Sequence, residues 1–180
     1  MNGPQPVPQD KKQILKARAR SLAREAKTER AAEAHLELVE FVLGNERYGI
    51  ESVFVREVYP LKELTPLPCT PRFVKGIINV RGQILTVIDL KAFFELPDKG
   101  ISDLNKVLIL RAGAMELGIL ADATTGMRSV LLSDLQPSLP TLTGIRAEYL
   151  RGVTYDRLVV LDVEKMLSDE KIVVNEEVGP

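Results

Sequence analysis

Apolar and polar residues alternate with a period of two along much of the chain beyond residue 36, which is the pattern of half-buried β-strands. The run LELVEFVL, then Gly44 and Asn45, then RYGI predicts a β-hairpin whose turn lies at Gly44 and Asn45. Two further apolar runs flank Arg81 and Gly82, so we expect a tight turn there with Gly82 at positive φ. Many short strands at this spacing predict a mainly β fold of small barrels or sandwiches.

The second half of the chain repeats the plan of the first. We place a first repeat at about residues 36–97 and a second at about 104–168. An internal duplication predicts two similar units that pack on each other and leave a groove for a partner. Chance similarity between two β-rich stretches is the alternative. The matched triplets are Tyr48-Gly49-Ile50 with Leu117-Gly118-Ile119, Val74-Lys75-Gly76 with Leu150-Arg151-Gly152, and Ile88-Asp89-Leu90 with Leu161-Asp162-Val163.

An aspartate opens a short helical run at the equivalent place in each repeat. Asp89 precedes LKAFFEL and Asp162 precedes VEKML, and we expect each to be an N-cap rather than half of a catalytic pair. The strands around these helices should form the core. The positions expected to be largely buried are Ile77, Ile84, Val87, Val107, Ile109, Val159 and Leu161.

The first 34 residues follow a different pattern. Residues 1–9 are rich in proline and glutamine and are expected to be disordered, whereas Asp10 is a favourable N-cap for a basic amphipathic helix that runs to about Ala34. The apolar stripe of this helix is thin, so we expect it to be dispensable for folding of the domain at 35–168. It is either a solvated helix or a segment that docks on a partner helix or an acidic surface. Residues 169–180 are expected to form a mobile tail.

Composition narrows the class of protein. A chain of 180 residues that is 45% hydrophobic can build a core, and its formal net charge of -1 argues against a strongly basic nucleic-acid binder. The single cysteine, Cys69, excludes a disulfide within the chain and fits a reducing cytosol. The sequence shows no signal-peptide pattern and no apolar run near the ~20 residues of a membrane span. We therefore expect a cytoplasmic protein.

Reactive side chains are too sparse to predict an enzyme. His35 is the only histidine and lies at the predicted helix-to-strand junction, while Cys69 lies in a proline-rich loop with no basic pair nearby in sequence. Dense carboxylate spacing, a phosphate loop and a dinucleotide glycine pattern are all missing from the sequence. We therefore expect no catalytic residue, no cofactor and no metal.

Two charged residues among the apolar strands are candidates for polar anchors. Arg81 lies at the predicted turn, where its planar guanidinium can clamp a carboxylate or a carbonyl of a partner. Glu57 lies in the run Val55-Arg56-Glu57-Val58, where alternation puts Val55 and Glu57 on one face. The alternatives are a solvated turn residue for Arg81 and an ordinary exposed strand charge for Glu57.

These segments resemble the CheW family of bacterial chemotaxis coupling proteins over about residues 36–167. The most specific part is the pattern P-x-F-V-K-G-x-x-N-[VL]-R-G, read here as PRFVKGIINVRG, followed by VIDL. The resemblance implies two SH3-like five-stranded β-barrel subdomains preceded by the N-terminal helical extension. It also implies a non-enzymatic adaptor that couples chemoreceptor signalling tips to a CheA-type histidine kinase, in the cytoplasm and recruited to membrane-associated receptor arrays.

The same resemblance implies which residues contact the receptor or the kinase. Ser52 departs from the family pattern, because an apolar residue is common at that position. The alternative from another class of function is a two-barrel nucleic-acid or ribosome-binding protein that uses the basic N-terminal helix. The implied receptor- or kinase-binding residues are Val55, Glu57, Val58, Gly76, Asn79, Val80, Arg81, Gly82, Val107 and Leu108.

Overall fold

The computed structural model describes residues 34–96, 106–137 and 145–172, together with Lys16 and Arg18, which are helical and exposed. The predictions for the other residues of the N-terminal segment and for residues 173–180 of the tail lie outside the described residues. Within the described ranges, no helix has the length and apolar character needed to cross a membrane.

Short strands dominate the described residues. Three α-helices accompany them, α1 (Leu90–Phe93), α2 (Ile145–Glu148) and α3 (Val163–Ser168), and two 3₁₀ segments span Ser52–Phe54 and Leu132–Asp134. In chain order the strands are β1 (His35–Leu43), β2 (Glu46–Glu51), β3 (Val55–Pro60), β4 (Val74–Val80), β5 (Gln83–Ile88), β6 (Lys106–Ala112), β7 (Met115–Ala121), β8 (Ala123–Leu131), β9 (Leu150–Val153) and β10 (Leu158–Leu161).

The strands form two five-stranded sheets with the same topology. The first sheet has the order β8-β1-β2-β10-β9, and the second has the order β3-β6-β7-β5-β4. Each strand of the first repeat has a counterpart five places later in the chain, from β1 with β6 to β5 with β10. Exchanging every strand with its counterpart converts one strand order into the other. Each sheet therefore combines a hairpin from one repeat with three strands from the other, so neither repeat forms a sheet alone.

The matched glycines lie at matched places in the two sheets. Gly49 of β2 pairs with Val160 of the parallel strand β10, and Gly118 of β7 pairs with Val87 of the parallel strand β5. A Cβ at Gly118 would stand 2.5 Å from a methyl group of Val107, so only glycine allows this close packing. The sequence similarity thus corresponds to a structural repeat.

The edges of both sheets carry a short added bridge at the same position. Thr65 pairs with Ile77 beside Gly76 on β4, and Gln136 pairs with Val153 beside Gly152 on β9. The described backbone pairing leaves β8 and β9 as the edges of the first sheet, and β3 and β4 as the edges of the second. The mainly β fold is confirmed, and closure of each sheet into an SH3-like barrel stays a prediction.

The main core cluster lies between the two sheets. It contains the stacked rings of Phe41, Tyr48 and Phe94, together with the buried Tyr149. Five of the seven predicted core residues are buried, as the strand pattern required. These are Val87, Val107, Ile109, Val159 and Leu161.

Two predicted core residues differ from expectation. Ile84 is 58% exposed, so its prediction was wrong, and Ile77 is only half-buried. Alternation along β5 directs Leu85 and Val87 into the core, which leaves Ile84 on the opposite face. Because Ile84 and Leu85 are both apolar, the sequence does not show which of the two faces the core.

Both predicted helix caps are confirmed. The Asp89 carboxylate accepts a hydrogen bond from the backbone N–H of Lys91 at 2.8 Å, and the Asp162 carboxylate accepts one from Lys165 at 3.0 Å. The end of the domain is held by Tyr149, whose buried hydroxyl donates to the Asp169 carboxylate at 2.7 Å. Ile172 packs into the main cluster, so this residue of the predicted tail lies in the core, whereas Glu170 and Lys171 are exposed.

Candidate functional site

The candidate site lies where two opposite edges of the second sheet approach each other. Arg81, in the turn between β4 and β5, donates from Nη2 to Oε2 of Glu57 on β3 at 3.0 Å. Strands β3 and β4 are the two outermost strands of this sheet, with three strands between them. The sheet is therefore curled enough for side chains to link its edges, and the two predicted anchors form one ion pair.

The turn that carries Arg81 has a fixed backbone shape. Arg81 has φ 54° and Gly82 has φ 88°, so two successive residues are left-handed, as in the tight turns that match the twist of hairpin strands. The Asn79 side-chain oxygen accepts a hydrogen bond from the Gly82 N–H at 2.8 Å and closes the turn. The expected positive φ of Gly82 is confirmed, and Asn79 acts as a brace for the turn.

Arg81 and Glu57 differ in their access to a partner. The Arg81 side chain is 76% exposed, whereas the Glu57 side chain is 20% exposed. An ion pair with one such exposed member stabilises the fold by at most about 1 kcal/mol. Its consequence is geometric, because Glu57 holds the guanidinium at one nitrogen and leaves the rest of the planar fork open to solvent.

The remaining candidate residues divide into surface and core. Val55 is half-buried and Val58 is exposed, and both lie on edge strand β3. Val80, Val107 and Leu108 are fully buried, and Leu108 pairs with Val58 across the β3–β6 ladder. These three side chains can therefore shape the surface from below without being part of it.

Gly76 is a buried candidate of another kind. Its φ is 146°, and a Cβ at this position would overlap the carbonyl oxygen of Thr65. Glycine is thus required for the bridge between Thr65 and Ile77, which sets the path of the chain beside β4. The role of Gly76 that follows from this geometry is structural.

A polar ring at the same end of the sheet was not anticipated from the sequence. Arg56 donates to the side-chain oxygen of Gln83 and to the carboxylate of Glu116, both at 2.7 Å. Gln83 also donates to the same Glu116 oxygen at 2.7 Å, and the Glu116 side chain is only 12% exposed. A lone acid in the apolar run MELGILA was the sequence signal for this ring.

The corresponding end of the first sheet carries a second charged cluster. Arg128 on β8 donates to the carboxylate of Asp156, in the turn between β9 and β10, at 2.6 Å. Arg47 donates to both the carboxylate and the carbonyl oxygen of Asp156, and the Thr154 hydroxyl donates to the other carboxylate oxygen at 2.6 Å. The hydrogen bond from Arg128, with those from Thr154 and Arg47, holds the pKa of the Asp156 carboxyl well below its usual range.

The two residues that the sequence predicts to be unreactive both lie at the surface. His35 is exposed and lies 3.4 Å from the Ser129 hydroxyl, and Cys69 is an exposed free thiol in the proline-rich loop. Within the described ranges, no group of three or more His, Cys, Asp or Glu residues could hold a metal ion. Ser52 is half-buried in a 3₁₀ segment, and the adjacent Val53 is strongly exposed.

Comparison with known proteins identifies close relatives of this chain. The family model described as CheW-like domain matches residues 37–171. Chemotaxis protein CheW of Treponema pallidum is 35% identical over 143 residues, which cover 76% of this chain and 84% of the relative. Protein FrzA of Myxococcus xanthus is 35% identical over 135 residues, which cover 74% of this chain and 79% of the relative.

A solved structure has the same fold. The crystal structure of the scaffolding protein TtCheW from Thermoanaerobacter tengcongensis superposes with a TM-score of 0.64 at 30% sequence identity. The match covers 71% of this chain and 84% of that protein. The two-sheet architecture is therefore shared with a solved scaffolding protein.

Proposed function

This chain belongs to the CheW-like family, and on that premise we propose that it is the non-enzymatic adaptor that couples chemoreceptor signalling tips to a CheA-type histidine kinase. Its relatives are named for chemotaxis, and one solved neighbour is named as a scaffolding protein. We also propose that its two partners are a CheA-type kinase and a chemoreceptor.

One observation carries the proposal at the level of residues. An exposed arginine is braced on a rigid turn and paired with a half-buried glutamate, next to the exposed Val58 on an edge strand. A guanidinium held by one partner can accept a second carboxylate or carbonyl from a bound protein, and apolar neighbours add contact area. We therefore propose that Arg81, Glu57, Val55 and Val58 form the contact surface.

The other six candidates act through the shape of this surface in our proposal. Val80, Val107 and Leu108 pack under the edge strands, while Gly76, Asn79 and Gly82 set the path and the turn of the β4–β5 hairpin. Substitutions at these six positions would change binding through the shape of the surface.

We also infer that each sheet curls into an SH3-like barrel. Two side-chain links between opposite regions of the second sheet support this inference, Arg81 with Glu57 and Arg56 with Gln83. The link from Arg128 to Asp156 joins the edges of the first sheet in the same way. Backbone hydrogen bonds between β3 and β4 in a crystal structure would establish closure.

The adaptor would work in the cytoplasm, recruited to receptor arrays at the membrane. Such a role requires binding to two proteins, and it requires no cofactor and no metal. The described residues offer no observation that favours the nucleic-acid or ribosome-binding alternative, which rests on the basic N-terminal segment.

The test is a set of binding isotherms with the full chain. Purified CheA-type kinase and a receptor signalling-tip fragment are titrated separately, and a random-sequence RNA serves as the third titrant. The proposal expects saturable binding of the kinase and of the receptor tip. RNA binding that falls steeply with added salt, with no binding of either protein, would instead support the alternative.

A further inference from the structure

Glu116 has three polar or charged neighbours at the proposed binding end. It lies on β7, in the middle of the second sheet, and its side chain is 12% exposed. It accepts hydrogen bonds from Arg56 and Gln83 at 2.7 Å each, and its other oxygen lies 3.6 Å from Arg111 Nε. A half-buried carboxylate with several charged or polar donors is held in place and orders its neighbours.

A chain of alternating charges runs outward from Glu116 to the protein surface. Arg56 bonds to Glu116 through Nη1, and its Nε lies 3.8 Å from Oε1 of Glu57. The other oxygen of Glu57 bonds to Arg81 at 3.0 Å. Arg56 is thus held between two carboxylates, and its short hydrogen bonds go to the inner one, Glu116, and to the amide oxygen of Gln83.

This geometry sets up a competition for Glu57. Arg56 and Arg81 both lie beside the Glu57 carboxylate, and Arg56 is the immediate neighbour of Glu57 on β3. An arginine released from its other partners would turn towards the nearest carboxylate and could engage it with two N–H groups. Arg81 would then lose the contact that orients it, and the cost of ordering its side chain would fall on partner binding.

We infer that Glu116 is a positioning residue of the binding surface. By holding Arg56 and Gln83, it keeps Arg56 from pairing more closely with Glu57, so that Glu57 stays bonded to Arg81. Glu116 itself does not touch the partner. The inference rests on the proposed function, because it names a residue that sets the geometry of the same surface. Gln83 has the same role from the side of the turn, since it binds both Arg56 and Glu116.

The experiment is a double-mutant cycle between Glu116→Gln and Arg81→Ala in the full chain. Dissociation constants for purified CheA-type kinase and for a receptor signalling-tip fragment are measured, together with melting temperatures. Glu116→Gln should weaken binding of at least one partner about fivefold in the wild-type background, and by less than about 1.5-fold in the Arg81→Ala background. A merely structural role predicts the same factor in both backgrounds.

Two further variants make the result decisive. Arg111→Gln removes an exposed charge that also faces Glu116 but lies outside the chain to Arg81, and it should bind both partners as the wild type does. Gln83→Leu opens the polar ring at an exposed position, so it should fold even if Glu116→Gln does not. It should weaken binding in the same direction and with the same dependence on Arg81.

The possible failures are distinguishable. If Arg81→Ala weakens binding but Glu116→Gln and Gln83→Leu both bind as the wild type does, the positioning role is wrong and the proposed surface stands. Equal weakening in the two backgrounds also overturns the positioning role. If Arg81→Ala binds both partners normally, the proposed surface itself is wrong.

Discussion

The turn of the β4–β5 hairpin and the turn of the β9–β10 hairpin occupy the same place in two sheets of identical strand order, yet the side chains that link them to an edge strand carry opposite charges. Arg81 on the first turn bonds to an acid on edge strand β3, and Asp156 on the second bonds to a base on edge strand β8. The duplication has preserved the link between turn and edge while its polarity is reversed.

The charge reversal extends to the middle of each sheet. Glu116 precedes the matched triplet on β7, and Arg47 precedes its counterpart on β2. Glu116 binds the edge-strand residue Arg56, whereas Arg47 binds the turn residue Asp156 directly. The central residue therefore fixes the turn in the first sheet and fixes the edge strand in the second.

The outcome is a difference in what each end can offer a partner. Two arginines and a threonine hydroxyl donate to the Asp156 carboxylate, so its hydrogen-bonding capacity is largely used within the fold. Arg81 has an ion pair with Glu57 and is 76% exposed, so its remaining donors point to solvent. Two ends with one topology thus differ in how their charges are satisfied within the fold.

The largest expected effect on stability is that of Gly76→Ala, which is compared with Gly152→Ala at the counterpart position. A Cβ at Gly76 would overlap the Thr65 carbonyl at a φ of 146°, whereas a Cβ at Gly152 would stand 2.9 Å from the Gln136 carbonyl oxygen without positive φ. We expect Gly76→Ala to lower the free energy of unfolding by about 3 kcal/mol and Gly152→Ala by about 1 kcal/mol. Urea denaturation of both variants measures this, and equal costs would contradict it.

The next effect concerns the charge on Asp156. Asp156→Asn weakens hydrogen bonds from Arg128 and Arg47, and we expect a loss of about 1 kcal/mol, reduced by solvent screening because the side chain is 44% exposed. The matched change at the other end, Glu57→Gln, should cost about 0.5 kcal/mol. Urea denaturation at neutral pH compares the two, and a larger loss for Glu57→Gln would show that the ends are not held as described.

The same cluster predicts a pH dependence. The folded-state pKa of Asp156 lies below its unfolded value, so the ionised group stabilises the fold above the ordinary pKa of about 3.9. That stabilisation is lost as the pH falls through this value towards the lower folded pKa. The wild type should therefore lose more stability than Asp156→Asn between about pH 5 and about pH 3. Parallel losses in the two proteins would mean that other carboxylates carry the acid sensitivity.

An effect of the same size as that of Asp156→Asn distinguishes Phe73 from its counterpart Tyr149. The backbone carbonyls of both residues accept a hydrogen bond from the backbone N–H of the helix-capping aspartate, Asp89 for Phe73 and Asp162 for Tyr149. Only tyrosine has a hydroxyl, which donates to the Asp169 carboxylate. Burial, with the contact to Asp169, raises the pKa of the Tyr149 hydroxyl. Tyr149→Phe should cost about 1 kcal/mol and loosen the segment around Ile172. Hydrogen exchange at residues 169–172 is the measurement, and unchanged protection there would contradict it.

Local features of this fold could be predicted from the sequence because they depend on neighbouring residues. The side chains of Asp89 and Asp162 cap helices by accepting hydrogen bonds from backbone N–H groups two or three residues away, and Gly82 adopts the left-handed conformation expected at its turn. The internal repeat was visible because glycines recur at matched positions, such as Gly118, where a Cβ would stand 2.5 Å from a methyl group of Val107.

The exchange of strands between the two sheets could not be predicted. A period of two assigns residues to a face of a strand but does not say which distant strand lies beside it. Ile84 was placed in the core for a related reason, since adjacent apolar residues left the phase of β5 open. The ring around Glu116 joins β3, β5 and β7, which are far apart in sequence, so only the lone acid among apolar residues hinted at it.

The most direct test of the central claim measures binding of Arg81→Ala beside that of Arg157→Ala. Arg157 is an exposed arginine at φ 64° in the turn between β9 and β10 of the first sheet, so it matches Arg81 in residue type and backbone shape. Arg81→Ala should weaken binding to the CheA-type kinase or the receptor tip by about 2 kcal/mol or more, with unfolding changed by less than about 0.5 kcal/mol. Arg157→Ala should bind as the wild type does. Wild-type affinity of Arg81→Ala for both partners would contradict the account.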